Sequence, residues 1–275
     1  MKLFCASDLH SYFTPFKKAL AEKGFEPNNP EHLLVICGDC FDRGSESVEM
    51  YEFLNSLNNV VLVRGNHEDL LQELLARGYG ERHDHSNGTT RTVVDLCDIT
   101  SKSMNSSSEE ICAAVKELIT PFLNKFVNYF ETKNYIFVHG WIPCDLPSYT
   151  GKAWWQNNRK LVYNPNWRNS SEEAWYASRW INGIDAGFVK KDKVLEPGKT
   201  IVCGHWHCSY GHYWKAVRDT IASGGTIFDA KADEFGENEC FEPFFAYGII
   251  AIDACTAHTG KVNVVVLEDD LLEEN

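Results

Sequence analysis

The stretch Leu33-Leu-Val-Ile-Cys-Gly-Asp-Cys-Phe-Asp-Arg-Gly44 decides how the chain is read. Its apolar run, Leu33 to Cys37, is closed by glycine and followed by a helix-like segment, Ser45 to Leu57. A short continuous apolar run bounded in this way reads as a buried strand. Asp39, Asp42 and Arg43 therefore lie in the loop leaving the strand's carboxyl end. Open α/β sheets bind ligands at that edge. An acid at the strand exit, Asp39, suits a metal ion; a second acid, Asp42, with Arg43 beside it, suits a site that handles phosphate.

The same unit recurs on either side. Lys2 to Ser7 reads as a strand ending at Asp8-Leu9-His10, and Tyr12 to Glu22 as a helix with Phe13, Phe16 and Leu20 on one face. Met50, Leu54 and Leu57 share a face of the next helix. Asn59 to Arg64 is a third strand running into Gly65-Asn66-His67-Glu68, and Glu68 to Arg77 a third helix. Three strand–loop–helix units predict a parallel sheet covered by helices.

Further along, the polar stretch 78–108 reads as a loop or lid insertion without a settled shape. Glu109 to Phe130 is helical, with Pro121 expected to interrupt or restart it. Tyr135 to Val138 is a strand ending at His139-Gly140. Six of the eight tryptophans fall within 141–181, which predicts an aromatic cap segment. Ser171 is the expected N-cap of a helix reaching Ile181 and carrying Arg179. Thr200 to His207 reads as a strand, so His205 and His207 would share one face. Strands are also expected near Thr220 to Ile227, at Tyr247 to Asp253 and at Lys261 to Asp269, with a hairpin turn at Thr259-Gly260.

Composition narrows the classes. With 275 residues and 44% hydrophobic content, the chain is read as a single domain, 1–275, with a sizeable core. A net charge of −13 argues against binding nucleic-acid duplexes or membrane surfaces. No signal peptide and no membrane-length apolar stretch is evident. Ten cysteines without a framework predict free thiols in a reducing cytoplasm. Cys37 and Cys40 form a C-x-x-C, but it encloses Gly38 and Asp39 of the central motif, which disfavours a redox reading.

Asp8, His10, Asp39, Asn66, His139, His205 and His207 each follow a predicted strand, on five separate segments. Seven oxygen and nitrogen ligands exceed one tetrahedral zinc site. They suit two divalent ions bridged by a carboxylate. Imidazole and carboxylate without thiolate favour manganese, iron or zinc, with manganese placed first and nickel also admitted.

The ordered set Asp8-x-His10, Gly38-Asp39-x-x-Asp42-Arg43-Gly44, Gly65-Asn66-His67-Glu68, His139-Gly140 and Gly204-His205-x-His207 resembles the calcineurin-like metallophosphoesterase superfamily. The forms around Arg43 and Arg64 are similar to those of bacterial and phage serine/threonine protein phosphatases and their diadenosine-tetraphosphatase relatives. The resemblance implies an α/β fold, a four-layer α/β/β/α sandwich of two mixed sheets. It implies one ion held by Asp8, His10, Asp39 and His207, and another by Asp39, Asn66, His139 and His205. The ions would lie about 3.5–4 Å apart and share an attacking hydroxide. His67 would be the general acid, Asp42 would orient it, and Arg43 and Arg64, with Arg179, would bind phosphate. The implied activity is a serine/threonine-type phosphomonoesterase acting on a phosphorylated protein or small phosphoester; the alternative is a dinucleoside polyphosphate hydrolase.

Overall fold

The computed structural model describes residues 1–103, 105–145, 161–190 and 193–272. Its strands are β1 (Lys2–Ala6), β2 (His32–Cys37), β3 (Val60–Val63), β4 (Phe130–Glu131), β5 (Tyr135–Phe137), β6 (Cys144–Asp145), β7 (Val162–Tyr163), β8 (Thr200–Cys203), β9 (Phe244–Ala246), β10 (Ile249–Ala251) and β11 (Val265–Glu268). One sheet has the order β11-β1-β2-β3 and a second the order β4-β5-β8-β10-β9, while β6 and β7 pair by themselves. In the first sheet β1, β2 and β3 run parallel and β11 antiparallel. In the second, β5, β8 and β10 run parallel between antiparallel edges. Both sheets are mixed, as the resemblance implies.

Alternation along each strand builds the layers. In β1, Leu3 and Cys5 face the second sheet, while Phe4 and Ala6 face helices. In β2 the same split separates Val35 and Cys37 from Leu34 and Ile36. Phe137, Val202 and Ile250 close the space between the sheets from the other side. The outward residues Ile136, Ile201 and Ile249 lie under Trp141, Trp167 and Trp175. Each fully buried side chain of this size stabilises by roughly 1.5–3 kcal/mol. Both strand faces are thus apolar, which leaves only the strand ends for polar chemistry.

The helices are α1 (Phe13–Lys23), α2 (Ser47–Ser56), α3 (Asn66–Arg77), α4 (Arg82–Asn87), α5 (Thr89–Cys97), α6 (Ser108–Leu123), α7 (Glu172–Ser178), α8 (Cys208–Ala222) and α9 (Thr256–Thr259). Helices α1, α2, α3, α5 and α6 cover the first sheet through Phe16, Met50, Leu74, Leu96 and Ile119. Ser107 and Ser171 cap α6 and α7, each accepting from a backbone N–H three residues on. Among the described residues no helix is long and apolar enough to cross a membrane. All ten cysteines are unpaired.

Several expectations are corrected. The insertion at 78–108 is mostly helical, forming α4 and α5 and docking on the Asp42 loop. Pro121 lies inside α6, which ends two residues later at Leu123, short of the expected Phe130, where β4 begins. Thr220 to Ile227 is not a strand: α8 runs to Ala222, and its partner across one turn, Lys215 to Asp219, is a helical ion pair at 2.6 Å. Thr259-Gly260 is not a hairpin turn, since α9 precedes it and β10 and β11 belong to different sheets. The strand at Thr200 ends at Cys203, so His205 and His207 do not share a strand face. Much of the aromatic segment, 146–160, lies outside the described residues.

Candidate active site

The carboxyl ends of β1, β2, β3, β5 and β8 converge. Asp8, His10, Asp39, Asn66, His67 and His139 are all buried there. Among the described residues, eight non-glycine residues have positive φ, and seven of them are Asp8, His10, Ser11, Asp39, Asp42, Arg43 and His205. Such backbone is unfavourable for residues with a Cβ, so its concentration at one edge marks a functional surface.

Asp39 is the hub. Its Oδ1 lies 3.3 Å from His139 Nε2, and its Oδ2 3.9 Å from His10 Nε2 and 3.9 Å from His67 Nε2. The two oxygens thus face two groups with metal-binding geometry: His10, Asp39 and His67, and Asp39, His139 and His205. The ring orientations are fixed from behind. His10 Nδ1 is 3.0 Å from the Phe41 carbonyl, and His139 Nδ1 is 2.8 Å from the Cys37 carbonyl. With the ring proton assigned to each Nδ1, each Nε2 is left as a donor atom toward the centre. Asn66 Oδ1 lies 2.8 Å from His139 Nε2, on the same side. Asp8 Oδ1 is 4.0 Å from His10 Nε2, and its Oδ2 accepts from the Ser7 hydroxyl at 2.5 Å and the His205 N–H at 2.9 Å.

His207 is placed differently. It caps α8, with Nδ1 at 2.9 Å from Ser209 Oγ and Nε2 at 3.3 Å from Glu234 Oε1. It is in neither three-residue group. The left-handed His205, at φ +63°, turns the chain between the two histidines.

His67 Nδ1 lies 2.6 Å from Asp42 Oδ2, and the Arg43 guanidinium donates to His67 Nε2 at 3.3 Å. Burial pulls the His67 pKa down, but Asp39 and the hydrogen-bonded Asp42 outweigh it and leave the value raised. Burial drives His10 and His205 far below the ordinary imidazole value, helped by the positive charge of nearby Arg43 and the raised His67. Burial likewise drives Asp39 upward, against the pull of His67 and with the push of Asp8 and Glu68. Neutral imidazoles beside crowded carboxylates form a donor set suited to divalent cations.

The three candidate phosphate arginines divide. Arg43 is exposed at the site. Arg64 Nε is 2.6 Å from Asp69 Oδ1, and Arg179 Nη1 is 2.8 Å from Asp69 Oδ2. Both line a cleft of about 760 Å³ with Arg168, Trp175 and Tyr176. Arg179 is 4% exposed and its Nε has no hydrogen-bond partner.

Three features were not foreseen. Glu68 reaches back to the Gly65 N–H at 2.8 Å, capping α3, and also accepts from Asp39 N–H at 3.0 Å and Cys40 N–H at 2.9 Å. It thereby ties two site loops together, and a side chain at Gly65 would collide with Asp39 and Glu68. Asp253 is buried just past β10, its pKa raised by burial and then by Asp8. Its position at a strand end, in Ile249-Ile-Ala-Ile-Asp253, was the available signal. Thr89 and Thr92 reach Asp42 from the insertion.

Comparison with known proteins follows the same lines. The chain is 35% identical over 82 residues to a symmetrical bis(5'-nucleosyl)-tetraphosphatase of Marinomonas sp. (strain MWYL1), covering 30% of this chain and 29% of that protein. It is 31% identical over 99 residues to the enzyme of that name from Thioalkalivibrio sulfidiphilus (strain HL-EbGR7), covering 36% and 35%. The chain thus matches about a third of the length of these relatives or less. In fold it is similar to a cold-active protein-tyrosine phosphatase of a psychrophilic Shewanella sp., with a TM-score of 0.53 at 14% identity over 97% of this chain and 75% of that one. The sequence profile of the calcineurin-like phosphoesterases matches residues 1–209, the span that supplies every converging loop, and the chain belongs to that family.

Proposed function

We propose that the chain is a metal-dependent phosphoester hydrolase acting on a phosphomonoester by direct attack of water, with no covalent enzyme intermediate. The observation that carries this reading is Asp39, whose two oxygens face two separate groups of imidazoles in a buried edge. Asp8, His10 and Asp39 would hold one divalent ion, and Asp39, Asn66, His139 and His205 the other. His207 stands beside this set, because Ser209 and Glu234 engage both its ring nitrogens. Manganese is the first choice, with iron, zinc or nickel compatible with the same donors. When bound, such a pair lowers the pKa of a water and neutralises phosphoryl charge.

The chain's own groups do the rest. Asp42 fixes the His67 ring through Nδ1, so that Nε2 can carry a proton to the leaving oxygen. Arg43, exposed and already at Nε2, is free to turn onto a phosphate oxygen. Asp69 holds Arg64 and Arg179 side by side in the lining of the cleft, where Gln72 and Asn128 each take a further donor, so phosphate oxygens would bind in exchange for these partners. A phosphorylated serine or threonine, or a small phosphoester, fits this arrangement. A second reading, a dinucleoside polyphosphate, is favoured by the tetraphosphatase relatives and by a cleft that combines arginines with Trp175 and Tyr176.

The test is a panel with manganese: a phosphopeptide set, p-nitrophenyl phosphate and diadenosine tetraphosphate. A large preference in kcat/KM for the dinucleotide overturns the phosphomonoester reading. His67→Asn should lower kcat by about 10²–10⁴-fold on an alkyl phosphate and far less on p-nitrophenyl phosphate, whose leaving group needs no proton. Equal loss on both counts against the acid role.

A further inference from the structure

Helix α5 delivers two hydroxyls to a single carboxylate. Thr89 Oγ1 donates to Asp42 Oδ2 at 2.7 Å, and Thr92 Oγ1 donates to Asp42 Oδ1 at 2.7 Å. The Asp42 N–H also donates to Thr92 Oγ1, at 3.0 Å. Asp42 and Thr89 are 0% exposed and Thr92 is 1% exposed. The helix begins flush against this loop: Gly88, at φ +87°, leaves no room for a side chain beside the Arg43 backbone.

A buried carboxylate needs donors for stability alone. The arrangement goes beyond that need. The two threonines sit three residues apart, on one face of one helix, and serve different oxygens of the same group. The third partner of that group is His67, on the oxygen that Thr89 also contacts. Asp42 itself has φ +77°, so its local backbone does not favour the pose. Two hydroxyls anchored by a helix whose Val93 and Leu96 are core residues supply what the loop lacks.

We propose that Thr89 and Thr92 are positioning residues for the Asp42–His67 pair, which makes the 78–108 insertion a working part of the site. This rests on the reading of His67 as proton donor to the leaving oxygen. A misplacement of the ring by a fraction of an ångström to one ångström is enough to cost one to two orders of magnitude in rate.

The test uses Thr89→Val, Thr92→Val and the double variant, with Thr92→Ser as the variant that keeps the hydroxyl. Two readouts are needed. The first is kcat and KM with manganese on an alkyl phosphomonoester and on p-nitrophenyl phosphate. The second is the far-downfield imidazole proton resonance of His67 in the metal-free protein. Thr92→Val should lower kcat on the alkyl ester about tenfold, with KM and p-nitrophenyl phosphate turnover little changed. The resonance should move or broaden, and Thr92→Ser should restore both. If the double variant does not fold, Thr89→Val alone carries the same comparison, since Thr92 still serves Oδ1. Valine variants with unchanged leaving-group dependence, while His67→Asn keeps its selective loss, overturn the positioning role alone. A His67→Asn protein with undiminished alkyl ester turnover overturns this inference together with the reading beneath it.

Discussion

Two clusters of charge in this protein, one half-buried and one buried, have opposite electrostatics. In the network beside the aromatic segment, Arg168 donates to Glu131 at 2.8 and 2.6 Å and to Glu196 at 2.9 Å, and Lys199 lies 2.7 Å from Glu131. The Tyr163 hydroxyl and the Trp167 indole N–H complete Glu196 at 2.6 and 2.8 Å. Burial pushes both glutamates up, yet these partners outweigh it and both pKa values end lowered. At the strand-end cluster burial wins instead. Asp39 and Asp253 are raised and His10 and His205 lowered. The first network carries its own counter-charges and behaves as a strut. The second sets only Arg43 and His67 against its crowded carboxylates, a donor set suited to divalent cations.

The comparison can be broken at its strongest point first. Asp39→Asn should lower hydrolysis by about 10³-fold or more, since a catalytic metal contributes several kcal/mol to the transition state. Equilibrium dialysis should then find fewer than two ions retained. In chelator, however, the same variant should unfold at or above the temperature of the original, because a buried carboxylate crowded by Asp8 and Glu68 is a liability without a bound cation. Wild-type metal stoichiometry in Asp39→Asn would end the distinction.

Arg168→Met tests the other side. It removes the guanidinium that Glu131 and Glu196 share, leaving Lys199 on the first and Tyr163 and Trp167 on the second, and should cost about 1–2 kcal/mol by urea unfolding, between the limits for exposed and fully buried pairs. The loss should be the same with or without chelator. The smallest effect sharpens the contrast through pH. Because both glutamates have lowered folded values, their stabilisation is present above the ordinary glutamate value of about 4.3 and is lost as pH falls through the lower folded one. Acid unfolding should therefore be steeper in the original protein than in Arg168→Met. Parallel pH curves would show that the network contributes no linkage.

Much of the strand-end cluster was legible because a sequence of this kind announces it twice. Each apolar run ends abruptly, and each is followed at once by a residue type that binds metal; Asp8, Asp39, Asn66, His139 and His205 all obey this pattern. His207 satisfied the same rule, yet its ring nitrogens face Ser209 and Glu234 while Asp8 remains near enough to act on its charge. Its ring direction depends on the left-handed turn at His205 and on where α8 begins, which spacing does not encode. Thr89, Thr92 and Glu68 were not legible as site residues for a different reason. Their partners lie 47, 50 and 29 residues away, and only the folded chain brings them together. The β-branched run at Thr220 to Ile221 misled for a third reason: its neighbours in α8 pack onto the second sheet, and burial of that face overrides local propensity.

The left-handed residues at the strand ends have a consequence for how the molecule comes apart. Seven of the eight left-handed non-glycine residues among the described residues, each unfavourable by about 1 kcal/mol or more, are gathered along one rim. Warming should open that rim before either apolar slab loosens, so amide exchange there would be the earliest sign of thermal fraying. On that expectation, the rim proposed to hold the cations would also be the seam along which the protein first melts.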